Sequence, residues 1–150
     1  MNTLNTLDSQ MVTKAAKQLQ LIFYALLATQ IVVYVAFVFF VMPGREPGLS
    51  EHRSTLLIAI PAVNILAVLL ANIIGRIALS KSDVSPDEKL KRIQGTYIAR
   101  MALLEGVNVL NIVTYLLTQE SMFHILFSVV LVLYAVTGYP TEERLKNALN

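Results

Sequence analysis

The stretch Ala99–Leu117, ARMALLEGVNVLNIVTYLL, decides the fold class. Most of its residues are Leu, Val, Ile or Ala, which is typical of a helix that crosses a lipid bilayer. It also contains four strongly polar side chains, namely Arg100, Glu105, Asn108 and Asn111. Charged and amide groups are costly in hydrocarbon, so we expect them to face other helices rather than lipid.

The composition of the whole chain agrees with a membrane location. Of the 150 residues, 55% are hydrophobic, and the mean hydropathy is +0.61. This exceeds the apolar share of ordinary soluble domains. Four apolar runs are each about as long as the roughly 20 residues that cross a bilayer. We therefore predict one all-α domain over residues 1–150, a four-helix transmembrane bundle of two antiparallel hairpins with helices at 18–42, 55–79, 96–118 and 122–139.

The basic residues predict the orientation of these helices. One side of the predicted bundle carries Lys14, Lys17, Arg76, Lys81, Lys89, Lys91, Arg92, Arg144 and Lys146. The other side carries only Arg45 and Arg53. Cytoplasmic loops are enriched in Lys and Arg, so both termini are predicted to be cytoplasmic. The first apolar run is too long for the core of a signal peptide, and we expect it to remain as a transmembrane helix.

The polar segments around the spans also carry structural signals. Ser85, Pro86 and Glu88 fit the N-cap, N1 and N3 positions of a helix, so the third helix is predicted to begin near Pro86. The residues before the first span favour a helical extension. After Pro140, the segment TEERLKNALN spaces Leu145 and Leu149 by one helical turn. This predicts a short amphipathic tail, either on the membrane surface or docked on the bundle.

Small residues predict where helices approach closely. Ala67, Ala71 and Gly75 repeat every four residues along the second helix. Ala102 and Gly106 form a similar pair on the third helix. Such faces let two backbones pack tightly in a membrane. We interpret them as the contact between helices two and three, with self-association as the alternative.

Glu105 is the most informative polar residue of the third helix. At 100° per residue, the polar side chains of this helix share about half of its circumference. Glu105 lies about 12 Å inside the predicted span, so its carboxylate needs either a partner or a proton. We expect it to meet Asn72, Arg76 or both. Tyr24, Tyr134 and Thr137 lie in the same half of the predicted membrane.

A second polar layer is predicted deeper in the membrane. It would contain Gln30, Asn64, Asn108 and Asn111. The candidate site is thus an intramembrane polar cluster of Glu105, Arg100, Asn108, Asn111, Asn72, Arg76 and Asn64. Three interpretations remain open, namely a static network that fixes helix register, an ion or proton site, and a ligand site.

Several classes of chemistry find no support in the sequence. The chain has no cysteine, which excludes disulfides and thiolate metal sites. His52 and His124 match no metal-binding spacing. There is no phosphate-binding loop and no arrangement of a nucleophile with its base, so we predict neither an enzyme nor a cofactor. The basic residues are explained as membrane anchors, so nucleic acid is not an expected partner.

Three strings carry a resemblance to known proteins. ARMALLEG (99–106), YLLT (115–118) and YPTEER (139–144) resemble those of small four-helix bacterial membrane proteins of unassigned function. That resemblance implies the fold but no activity. We expect a multi-pass protein of the cell (inner) membrane. The helix IARMALLEGVNVLNIVTYLL (98–117) is also similar to the carboxylate-bearing helix of the proteolipid c subunit of rotary ATPases. This second resemblance implies that Glu105 binds an ion. The chain departs from the c-subunit pattern, which has a glycine-rich helix and, in four-helix members, a duplicated hairpin, because it has only six glycines and no internal repeat.

Together these patterns predict a non-enzymatic integral membrane protein that serves as a small subunit or accessory of a larger membrane complex. The alternative is a proton- or cation-translocating component that uses Glu105. The expected partners are membrane lipids and either other membrane-protein subunits or a second copy of the chain.

Overall fold

The computed structural model describes residues 2–44, 46–79 and 85–149. Within these ranges the chain forms α-helices and no strand. The helices are α1 (Asn2–Ala36), α2 (Arg53–Leu79), α3 (Pro86–Thr118), α4 (Ser121–Gly138) and α5 (Glu142–Leu149). The first four are long and apolar enough to cross a membrane. The predicted all-α fold with four membrane-spanning helices is confirmed.

The ends of α1 differ from the predicted span. The helix starts at Asn2, so the polar extension and the first span form one continuous rod. Beyond Ala36 it widens into a π-helical turn, Phe37–Val41, in which Met42 N–H donates to the Phe37 carbonyl at 2.9 Å. Gly44 then takes a positive φ of 77°, a conformation that favours glycine, and the chain turns toward α2.

The start of α3 forms as its sequence predicts. The Ser85 hydroxyl accepts a hydrogen bond from Glu88 N–H at 3.3 Å, and Pro86 occupies the first turn. Asp87 pairs with Lys91 at 2.7 Å one turn later, and this hydrogen bond raises the pKa of Lys91. Cap and ion pair stabilise a helix end that projects well beyond the 20 residues needed for a span.

The third helix is the centre of the bundle. It packs against α1, α2, α4 and α5. In its most apolar window 50% of the residues are buried, compared with 11% in α1 and 22% in α2 and in α4. Contacts with the side chains of α3 therefore hold the other three spans together.

Helix length places the membrane borders. The α4 helix has 18 residues, which gives a rise of about 27 Å, close to the thickness of a hydrocarbon core. On α3 the same rise separates Thr118 from Arg100. With Thr118 taken as one border of the hydrocarbon core, Arg100 lies at the other, and the first turns of α3 stand outside it. We call this end of the bundle, where α5 also lies, the α5 end.

At the α5 end, the tail docks on the bundle. Leu145 is fully buried. It belongs to one apolar cluster with residues of α1 and α3, including Val12, Ala16, Leu19, Leu90 and Ile93. Gln20 Nε2 also donates to the Pro140 carbonyl at 3.0 Å. Of the two predicted positions for the tail, the structure has the docked one.

The predicted small-residue contact is right on α2 and wrong on α3. Ala67 and Ala71 are 4% and 3% exposed. Ala102 and Gly106 are instead exposed, and a Cβ added at Gly106 would meet no atom within 4 Å. The physical reason is rotation, because α2 packs on the side of α3 that carries Arg100, and Ala102 lies about 160° away from it.

Candidate functional site: polar residues within the membrane

The most regular polar contact in the membrane joins α2 to α3. Asn64 Nδ2 donates to Asn111 Oδ1 at 2.9 Å, and Asn111 Nδ2 donates to Asn64 Oδ1 at 2.9 Å. Asn64 Nδ2 also donates to the Ile60 carbonyl one turn back, at 2.8 Å. Asn64 is 4% exposed and Asn111 fully buried. A reciprocal amide pair of this kind fixes the register of the two helices, because each group satisfies the other.

A second amide contact joins α1 to α3. Asn108 Nδ2 donates to Gln30 Oε1 at 2.7 Å, and both side chains are buried. Gln30 Nε2 and Asn108 Oδ1 make no hydrogen bond within the described residues. This pair is therefore satisfied on one side only, whereas the pair between α2 and α3 is satisfied on both. We call Gln30, Asn64, Asn108 and Asn111 the amide layer.

The amide layer lies near the centre of the membrane. Asn108 and Asn111 follow Arg100 by about 12 and 16 Å along α3, roughly half of the span. Both amide contacts use α3, which explains why this helix tolerates amides in hydrocarbon. Neighbouring helices, rather than lipid, receive their hydrogen bonds.

Glu105 lies outside the amide layer. Its side chain is half-buried, and no hydrogen bond or ion pair to it occurs within the described residues. The carboxylate acts electrostatically on the Tyr134 hydroxyl of α4. Glu105 is thus a carboxylate about 7 Å inside the border marked by Arg100, without a hydrogen bond from any described residue.

The expected contact between Glu105 and Asn72 is not formed. Asn72 is exposed on α2 and has no described hydrogen bond. The reason is again rotation, since α2 packs on the Arg100 side of α3 and Glu105 lies about 140° away, beside α4. Arg76, the other expected partner, has its side chain outside the described residues.

Tyr134 is the residue of α4 on which the charge of Glu105 acts. It is fully buried, and its ring stacks on Phe23 of α1 with centroids 5.0 Å apart. Its hydroxyl has no hydrogen-bond partner in the described part of the chain. The other expected members of this cluster point elsewhere, since Tyr24 donates to Tyr139 at 3.5 Å and Thr137 to the Leu133 carbonyl at 2.7 Å.

Arg100 is separate from Glu105. Its guanidinium packs over Gly75 of α2, where a Cβ would lie 3.4 Å from Nη1. Its Nε is buried without a hydrogen bond from any described residue. Gly75 leaves room for this flat group. We predicted Gly75 to allow close approach of two helix backbones, whereas in the structure it accommodates an arginine side chain.

Two contacts at the opposite membrane border were not predicted from the sequence. Arg53 pairs with Glu120 at 2.5 Å, which joins the start of α2 to the turn between α3 and α4. The Tyr34 hydroxyl lies 2.5 Å from His124 Nδ1. Opposite charges at the same predicted border were the available signal for the first contact. The described residues contain no group of three His, Cys, Asp or Glu side chains suited to a metal ion.

The comparisons with known proteins supply no relative for this arrangement. No family model, curated protein or solved structure matches the chain. The chemistry of the site therefore depends on its own residues. It consists of a buried amide layer, a carboxylate beside an unsatisfied phenol, and an arginine at the membrane border.

Proposed function

We propose that this protein is a non-enzymatic subunit or accessory of a larger membrane assembly, in the bacterial inner membrane with both termini in the cytoplasm. Four candidate spans support the membrane location, and the distribution of Lys and Arg supports the orientation. The observation that carries the proposal is one exposed face of α3, the helix that is otherwise the most buried.

This exposed face consists of Ala102, Glu105, Gly106 and Val109. The four residues fall within about 100° of arc. Ala102 and Gly106 are exposed, Val109 is 42% exposed, and Glu105 is half-exposed without a described hydrogen bond. We call it the α3 outer face.

The α3 outer face has the chemistry of a helix-packing surface. Lipid gives no hydrogen bond to a carboxylate, whereas a neighbouring helix can offer a hydroxyl, an amide or a cation. Ala102 and Gly106 let the backbone of that helix come close. A partner helix would thus satisfy Glu105 and cover the small residues in a single contact.

Site-directed photo-crosslinking in the native membrane tests this proposal. A photo-reactive phenylalanine analogue at position 106 should give one discrete protein adduct, since the space around Gly106 accepts a large side chain. The matched control is the same analogue at position 132, because Val132 is 63% exposed on α4. Ala102→Leu should remove the adduct from position 106. Lipid adducts alone at both positions would contradict the proposal.

The alternative function is proton or cation translocation through Glu105. The observations that favour it are the Glu105 carboxylate within the span and the buried Tyr134 hydroxyl, neither of which has a described hydrogen bond. A carboxylate and a phenol within the membrane are groups that can pass a proton between them. The resemblance to the rotary ATPase c subunit points to the same carboxylate.

Flux in liposomes distinguishes the two functions. A conductor should lose its flux in Glu105→Gln, because the amide cannot release a proton, and the variant should stay folded. Asn72→Leu is the control, since it removes another exposed polar group without touching Glu105. If the wild-type protein carries no flux, the translocation alternative is excluded, and the subunit proposal is unaffected.

A further inference from the structure

A cavity lies at the α5 end of the bundle, apart from the amide layer and the α3 outer face. It has a volume of about 330 Å³ and lies between α2, α3 and α5. Its polar lining consists of Thr96, Tyr97, Arg100, Arg144 and Asn147. Gly75, Ile93 and Ala148 also line it, and no described residue of this lining carries a carboxylate. This volume is in the range of small-molecule sites.

The two arginines of the cavity are not neutralised by the described residues. The ion pairs of the described chain join Arg53 to Glu120, Lys91 to Asp87 and Arg92 to Glu88. Neither Arg100 nor Arg144 takes part in one. A pair of cations without a counter-charge around one cavity is unfavourable unless an anion compensates them.

Both guanidinium groups are held in place while keeping free donors. Arg100 is fixed over Gly75 and has a buried Nε without a described hydrogen bond. Arg144 is fixed through Nη1, which donates to the carbonyls of Thr137 at 3.2 Å and Tyr139 at 3.0 Å. No hydrogen bond is described for its Nε and Nη2. Fixed guanidinium groups lose little conformational entropy on binding an oxyanion.

The depth of the cavity matches the level of phospholipid headgroups. Arg100 lies about 27 Å along α3 from Thr118, near the full thickness of a hydrocarbon core. Arg144 contacts the last residues of α4, whose own length also spans that core. The cavity therefore lies where phosphate groups of one leaflet are concentrated.

We propose that this cavity binds a phosphate group, supplied by an anionic phospholipid headgroup or by a soluble phosphate ester. The guanidinium groups of Arg100 and Arg144 donate to the phosphate oxygens in charge-assisted hydrogen bonds. The Asn147 amide and the Tyr97 hydroxyl supply neutral hydrogen bonds at the rim, whereas the Thr96 hydroxyl donates to the Arg92 carbonyl at 2.8 Å. The bound phosphate connects α5 to α3, because one arginine belongs to each helix.

Native mass spectrometry of the detergent-solubilised protein tests the proposal with two probes. The first is phosphatidylglycerol and the second is its soluble headgroup, glycerol phosphate. Discrete binding of the lipid alone identifies a lipid site, and binding of both with similar affinity identifies a site for soluble phosphate esters. If neither binds the wild-type protein, the proposal is overturned.

Matched variants separate a specific site from general attraction to a basic surface. Asn147→Asp places a carboxylate in the cavity, and Lys146→Gln makes the same change in net charge at the adjacent exposed residue, which does not line the cavity. Asn147→Asp should weaken binding about tenfold or more, while Lys146→Gln changes it less than twofold. Equal effects of both variants would overturn the proposal.

Arg100→Gln tests the arginine directly. It should also weaken binding about tenfold, the scale of one lost charge-assisted hydrogen bond. Arg92→Gln is its control, since Arg92 lies on the same helix outside the cavity and pairs with Glu88. An Arg100→Gln protein that unfolds at the wild-type temperature and binds the probe with wild-type affinity would contradict the assignment.

Discussion

Asn64 of α2 and Asn111 of α3 hold each other through two reciprocal hydrogen bonds of 2.9 Å. The pair lies near the middle of the membrane, where water cannot replace either bond. It gives each helix one defined register relative to the other, and its contribution to stability can be measured.

Removing one member of this pair should destabilise the protein. Asn111→Leu leaves the Asn64 amide buried without its partner, at a cost of about 1–2 kcal/mol in the free energy of unfolding. The double variant Asn64→Leu/Asn111→Leu should recover part of the loss, because no unpaired amide remains. Unfolding in mixed detergent micelles measures both effects.

Asn72→Leu is the matched control for this experiment. Asn72 is an exposed amide on α2 without a described hydrogen bond, so its replacement should leave the unfolding free energy within about 0.5 kcal/mol of wild type. An Asn111→Leu variant as stable as Asn72→Leu would show that the reciprocal pair does not fix the bundle.

The burial of Ala71 predicts that the same change, Ala to Leu, affects stability differently at positions 71 and 102. Ala71→Leu adds three carbons to a side chain that is 3% exposed between α2 and α3. Overpacking there should cost about 1–3 kcal/mol. Ala102→Leu makes the same change on the α3 outer face and should leave the isolated protein unaffected. Thermal unfolding in detergent compares the two, and equal losses would mean that Ala102 also contacts another helix of the same chain.

The docked tail predicts a strong effect at Leu145. Leu145→Ala removes a fully buried side chain from the cluster that joins α5 to α1 and α3. The loss should be about 2–5 kcal/mol for the docking of α5, and limited proteolysis should then cut within residues 142–149. Lys146→Ala, at an exposed neighbour, is the control. Unchanged proteolysis in Leu145→Ala would mean that other contacts hold the tail.

The buried phenol predicts a substitution that does not destabilise. Tyr134→Phe removes a hydroxyl without a described hydrogen bond and keeps the ring that stacks on Phe23. The unfolding free energy should stay the same or rise by up to about 1 kcal/mol. A loss above about 1 kcal/mol would instead show that the hydroxyl makes a hydrogen bond.

Reporter fusions test the proposed orientation. A reporter after residue 150 and one within residues 81–89 should both be cytoplasmic, because nine of the twelve Lys and Arg residues lie on that side. A reporter between Pro47 and Gly48 should be on the opposite side. A cytoplasmic signal from the 47–48 insertion would contradict the four-span topology.

The sequence alone determined the local structure of this protein. Apolar runs of sufficient length predicted the four spans, because crossing hydrocarbon demands both length and apolar side chains. Ser85, Pro86 and Glu88 predicted the start of α3, because a helix cap depends on residues within one turn. These features need no knowledge of which helix lies beside which.

Only the tertiary structure decided the partners of each polar group. The sequence predicted that four amide side chains lie in one layer. Only the packing of the helices showed that Asn64 pairs with Asn111 and Gln30 with Asn108. It also placed Glu105 beside α4 rather than α2, and turned Ala102 away from the bundle. The physical reason is that the rotation of α3 relative to its neighbours depends on all of its contacts together, whereas a helical wheel gives only the angles between residues of one helix.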